Sequence, residues 1–276
     1  MPLTTPIDQA EALRDKIADL MPQVRADLEA LVAIPSINFP GYEMSEVVRC
    51  AEAVAELLRK AGAQPQLIPS SSGVPTVRAD VAGPEGAPTV LLYSHYDVQP
   101  AGDESRWHSP AFEAVERDGR LYGRGAADDK SGVVSHIAVL RAFDGKPPVN
   151  LRILLEGEEE YGGDFEEWPS TRPDVFGDLD AAVICDMGNV ELGQPTFTTQ
   201  LRGIIEGVVT VTTMAEPRHS GMFGGPSPDA LMVLIKLLNS LMDDRGDATI
   251  DGITGSEWDG AEYPEAAFRE LAEVLP

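Results

Sequence analysis

Three short apolar runs, residues 89–94 (TVLLYS), 149–155 (VNLRILL) and 179–185 (LDAAVIC), each stop at a histidine or a carboxylate. No other feature constrains the chain as much. Runs of four to eight apolar and β-branched residues between turn signals read as buried strands, and Gly83, Pro84, Gly86 and Pro88 precede the first of them. The stretches between the runs are long enough for crossovers. The pattern therefore predicts an α/β fold, a mostly parallel sheet flanked by helices. In such a sheet ligands gather beyond the carboxyl ends of the strands. His95 and Asp97 follow the first strand, Glu158, Glu159 and Glu160 the second, and Asp186 the third.

The rest of the chain supports that sheet. Residues 8–33 place Leu13, Ile17, Leu20, Val24, Leu28 and Leu31 at helical spacing, with Asp8 as a cap and Pro22 expected to bend or divide the helix. Residues 43–61 form a second amphipathic helix ended by Gly62. Short strands are expected at 66–68 and 76–81, an irregular connection at 98–120, and a helix at 130–143 with Asp128 and Asp129 at its amino end. After Pro195 the texture changes. An alternating, β-rich run (201–214) leads into RHSGMFGG, then a helix capped by Ser227 with Pro228 at its first position, then a short helix at 264–274. The expected division is 1–197 and 198–276, the second part an incomplete α+β domain.

A net charge of −25 leaves little to attract nucleic acid or an anionic membrane, both of which need clustered Lys and Arg. Cys50 and Cys185 form no CxxC pair, so neither a thiolate zinc site nor a disulfide framework is indicated. The first thirty residues lack a basic start and an apolar core, and no apolar run reaches about 18 residues. A cytoplasmic location is the expectation.

The candidates at the strand ends are His95, Asp97, Asp128, Asp129, Glu158, Glu159, Glu160 and Asp186. One imidazole among several carboxylates suits zinc, manganese or cobalt, and two such ions sharing a bridging carboxylate form a clamp for hydrolysis. Asp97 lies close enough in sequence to orient the imidazole of His95. Each element also has an ordinary reading: a structural histidine, a solvated charge run, acids complementing a helix dipole. Their convergence at three strand ends favours the metal. GRGAAD (123–128) lacks the third glycine of a dinucleotide loop, no GxxxxGK[ST] is present, and no serine has a GxSxG context. His136 reads as packing or surface, and His108 as a loop residue.

YSHYDVQP, W...PF, ERDGRLYGRGAADDK, LLEGEEEYGG, ICD, LRG and RHSGMFGG, in this order and spacing, closely resemble the zinc metallopeptidases of the aminoacylase and carnosine dipeptidase family. Within it, they look most like the cytosolic non-specific dipeptidase branch. The resemblance implies that His95, Asp128 and Asp186 hold one zinc and that Asp128 bridges to a second held also by Glu160. It further implies Glu159 as general base, Asp97 as partner of His95, a cis peptide between Asp128 and Asp129, and a homodimer formed through a lid domain. From that lid His219 would reach the partner's site to stabilise the oxyanion. The implied reaction is hydrolysis of dipeptides or short peptides. A deacylase or desuccinylase acting on N-acyl amino acids shares the same metal motifs, and an inactive metal-binding or interaction fragment is the alternative from another class. Proteins of this family are longer, so the chain is expected to stop inside the lid, its second zinc lacking a carboxyl-terminal histidine. Tyr161-Gly162-Gly163 and the prolines 226 and 228 also depart from the family pattern.

Overall fold

The structure, a computed structural model, describes residues 7–189, 193–198, 201, 203, 204, 206–253 and 265–272. The chain divides into two compact units, Met1–Thr199 and Gln200–Pro276.

The first unit opens with α1 (Ile7–Val32) and α2 (Met44–Lys60). Helix α1 runs unbroken through Pro22, so the expected division does not occur, and Asp8 lies inside the helix instead of capping it. Helix α2 buries Val47, Cys50, Ala51, Val54, Ala55 and Leu58, the i, i+3, i+4, i+7 stripe of a helix with one wet face. It ends at Gly62, whose φ of +95° is the left-handed turn that closes helices.

Strands β1 (Gln66–Pro69) and β2 (Pro75–Val81) form an antiparallel pair joined by a tight turn, followed by β3 (Thr89–His95). The long connection after β3 contains a small hairpin, β4 (Val115–Arg117) and β5 (Arg120–Tyr122), turned by Asp118 and Gly119 at positive φ. Then come α3 (Lys130–Ala142), β6 (Asn150–Glu156), the short helices α4 (Trp168–Thr171) and α5 (Pro173–Phe176), and β7 (Ala181–Ile184).

The main sheet has the order β1-β2-β6-β3-β7. Strands β6, β3 and β7 are parallel, as the three apolar runs require, while β1, β2 and the β2–β6 pairing are antiparallel. The sheet as a whole is mixed. A parallel β3–β6 pair needs a crossover, and α3 supplies it, whereas the few residues between β1 and β2 permit only a hairpin. Alternation along β6 sorts the two cores. Leu151, Ile153 and Leu155 face α1, α2 and α3, among Val54, Leu58, Val133, Ile137 and Leu140. Leu154 points the other way, onto Phe165, Trp168 and Val175.

In the second unit α6 (Ser220–Phe223), α7 (Ala230–Asn239) and α8 (Glu265–Leu271) are formed. Asp229 caps α7, its carboxylate accepting the Met232 N–H at 2.9 Å, so the helix starts later than Ser227 and Pro228 suggest. The described residues of 201–214 form no strand. An alternating pattern becomes a strand only when a neighbour completes its ladder, and none pairs with it among the described residues. No helix of the described residues is long and apolar enough to cross a membrane.

Candidate metal centre

His95 is the last residue of β3 and lies in register with Glu156, the last residue of β6. Tyr93 pairs with Ile184 at the end of β7, so Asp186 arrives two residues beyond that strand. Helix α3 begins at the same edge. Its N-cap Asp129 accepts the Gly132 N–H through Oδ1 and the His95 backbone N–H through Oδ2, both at 3.2 Å, tying the helix start to the strand end. Lys130 fixes that start from below, its buried ammonium donating to the carbonyls of Leu31 (2.8 Å) and Ile34 (2.7 Å) near the end of α1. The Asp128–Asp129 peptide is cis.

The imidazole of His95 is fully buried. Its Nδ1 lies 3.1 Å from the Asp97 carbonyl and 3.3 Å from Asp97 Oδ1, both acceptors, so a proton stays on Nδ1 and Nε2 is the nitrogen turned outward. Three carboxylates converge on that nitrogen: Asp128 Oδ1 at 3.0 Å, Asp186 Oδ1 at 3.7 Å and Glu159 Oε2 at 3.8 Å. Each comes from a different segment, and sequence reasoning named all three. Asp97 does more than sequence spacing suggests. Its two oxygens accept the backbone N–H groups of Glu159 (3.3 Å) and Glu160 (3.1 Å), binding the second strand end to the first.

The other candidates separate. Glu160 faces Gln99, whose side-chain amide donates to its Oε2 at 2.8 Å. Glu158 is buried and held by the Ser72 hydroxyl. Ligand atoms of His95, Asp129 and Asp186 lie within 4.8 Å of one another. Both Asp129 oxygens, however, already hold backbone N–H groups, and the residue is buried, whereas the Asp128 side chain is 62% exposed and aims at Nε2. His219 stands in the second unit, where its Nδ1 accepts the Gly221 N–H at 3.1 Å at the start of α6. His136 is buried and donates from Nε2 to the Tyr93 carbonyl at 2.9 Å, a packing role. His108 is exposed on its loop.

Sequence reasoning overlooked Glu156 and Gln99. Glu156 is buried, hydrogen-bonded by the Tyr93 phenol, and lines a cavity of about 340 Å³ with Glu159, Phe165 and Pro169. Counting alternate residues along β6 would have put it on the His95 face.

The field here is strongly negative. Burial opposes charge on His95, but the Asp186 and Asp97 carboxylates overcome it and raise its pKa to about 12. Burial pushes Glu156 up to about 8 and Asp129 to about 7, and it raises Glu159 and Glu160 as well. Carboxylates crowded around one imidazole call for a compensating cation. An imidazole nitrogen with several carboxylate oxygens is the donor set that zinc, manganese or cobalt takes, so the residues fit a divalent ion.

Residues 91–257, about three-fifths of the chain, match peptidase family M20/M25/M40. The chain belongs to that family. This M20 chain is 43% identical over 194 residues to the cysteinylglycine-S-conjugate dipeptidase of Corynebacterium striatum, covering 68% of this chain and 42% of that one. It is 34% identical over 223 residues to the β-Ala-His dipeptidase of Rattus norvegicus, covering 75% and 45%. The structure of the dipeptidase Dug1p of Saccharomyces cerevisiae superimposes with a TM-score of 0.68 at 26% identity, over 95% of this chain and 61% of that one. The chain spans about half the length of the curated M20 relatives it matches.

Proposed function

We propose that this chain carries the metal centre of a dipeptidase that hydrolyses dipeptides or short peptides. The convergence of Asp128, Asp186 and Glu159 within 3.8 Å of His95 Nε2 is the observation that carries the reading. The names of the relatives indicate dipeptides such as cysteinylglycine conjugates or β-Ala-His as substrates.

In this reading His95, Asp128 and Asp186 would hold one zinc, and Asp128 and Glu160 would be ligands to a second. Asp129 caps α3. Bound ions supply Lewis acidity and lower the pKa of a coordinated water. Asp97 keeps the His95 proton on Nδ1 and holds the Glu159–Glu160 backbone in place. Glu159 is the general base. Its side chain is 40% exposed and its carboxyl is raised by burial, so it is reachable and basic enough to take a proton from water and hand it to the leaving amine. The first unit acts as the catalytic domain and the second as part of a lid through which two copies pair, with His219 contributing to the partner's site.

Glu159→Gln tests the base. It should lower kcat for dipeptide hydrolysis by about 100-fold or more while bound metal is unchanged. Hydrolysis at the unmodified rate would remove Glu159 from the role, and faster turnover of N-acyl amino acids than of dipeptides would move the substrate class to deacylation. His219 has its own test. Mixing inactive His219→Ala and Glu159→Gln chains should restore about a quarter of the activity, since half the dimers are mixed and one site in two of those is whole. No recovery would place His219 in its own subunit's site or outside catalysis.

A further inference from the structure

We propose that Gln99 is a positioning residue for Glu160, fixing its carboxylate so that a divalent ion meets a ligand already aimed. The inference rests on reading Glu160 as a metal ligand.

Gln99 reaches Glu160 three times. Its backbone N–H donates to Oε1 at 3.2 Å, its side-chain Nε2 donates to Oε2 at 2.8 Å, and the same nitrogen lies 3.3 Å from the Glu160 carbonyl. Those partners are acceptors only, so the amide must present its NH₂ to them. Each carboxylate oxygen thus accepts one N–H and keeps a lone pair for a cation. A free glutamate side chain gives up rotamer freedom when it is ordered. Gln99 has ordered it beforehand.

The clamp is itself held. Tyr96 N–H donates to the Glu156 carbonyl at 2.9 Å, Val98 N–H to the Ser36 carbonyl at 3.0 Å, and the Ser36 hydroxyl to the Tyr96 carbonyl at 2.6 Å. Asp97, two residues before Gln99, takes the Glu160 N–H. One five-residue segment, His95 to Gln99, therefore presents a metal ligand at one end and holds another by its main chain and side chain. The chemistry at position 99 is narrow. Asparagine is a methylene shorter, glutamate would repel Glu160, and lysine would take the place of the ion.

The test is zinc affinity by competition with a chromophoric chelator, for the unmodified chain, Gln99→Met, Glu160→Gln and the double variant. Methionine keeps the length and removes the donor. Glu160→Gln and Gln99→Met should each weaken one zinc by about 10- to 100-fold, and the double variant should be no weaker than Glu160→Gln alone. Zinc-free melting curves establish that each variant folds, and Gln99→Asn, expected to lose the same affinity, serves if methionine does not. An unmodified chain that takes up no zinc, or a Glu160→Gln variant that binds normally, overturns the metal reading and this inference with it. Normal binding by Gln99→Met beside weakened binding by Glu160→Gln, or additive losses in the double variant, overturns the role of Gln99 alone.

Discussion

At the scale of single residues, burial decides which groups the fold tolerates as charges. His136 sits under the sheet with its Nε2 proton on the Tyr93 carbonyl, and burial lowers its pKa. Its unfolded value is about 6.5, so below that pH the unfolded chain takes up a proton that the native chain resists. This contribution to stability is present above pH ~6.5 and is lost as pH falls through the lower native value. His136→Gln retains a donor for the carbonyl but has no such proton. Urea unfolding across pH 7 to 5 should therefore show a shallower loss of stability in the variant, and parallel curves would contradict it. His95, Asp128, Glu159 and Asp186 were legible because each follows an apolar run or opens a helix. Glu156 was legible only through the alternation along β6, and Gln99 was not, because its partner Glu160 lies about 60 residues away and only the fold brings the two together.

At the scale of elements, the start of α3 shows two opposing effects at one position. Replacing a helical glycine by alanine ordinarily gains about 1 kcal/mol. A Cβ on Gly132 would lie 2.4 Å from Ser94 Oγ, 2.5 Å from Asp129 Oδ1 and 2.6 Å from the Cys185 carbonyl. Overpacking typically costs about 1–3 kcal/mol, and a backbone carbonyl yields poorly, so the clash outweighs the propensity. Gly132→Ala should lower the melting midpoint and weaken zinc binding together, because the helix start and the β3 end share Asp129. A raised midpoint would show that the interface gives way. The helices were read well from their periodicity, and Gly62 closed α2 as expected. Pro22 misled because a long helix packed on α3 can absorb one proline, and the described residues of 201–214 misled because alternation alone supplies no ladder partner.

At the scale of the whole molecule, a chain of net charge −25 gathers part of its acidity at one sheet edge, where like charges oppose folding until a cation joins them. Divalent ions should therefore stabilise the chain. Zinc at about 100 times its dissociation constant adds about 2.7 kcal/mol, read as a rise in melting midpoint that a chelator reverses. No shift would mean that the edge holds no ion. Three strand endings sufficed to foresee the parallel core and the edge at which the candidate residues gather. The antiparallel β1 and β2 set the rest of the sheet by a turn too short for any crossover. The most direct measurement is anomalous diffraction at the zinc edge from zinc-soaked crystals of the chain. A peak about 2 Å from His95 Nε2, shared with Asp128 and Asp186, is the predicted result. No peak there, with Nε2 still against Asp128, would contradict the metal centre.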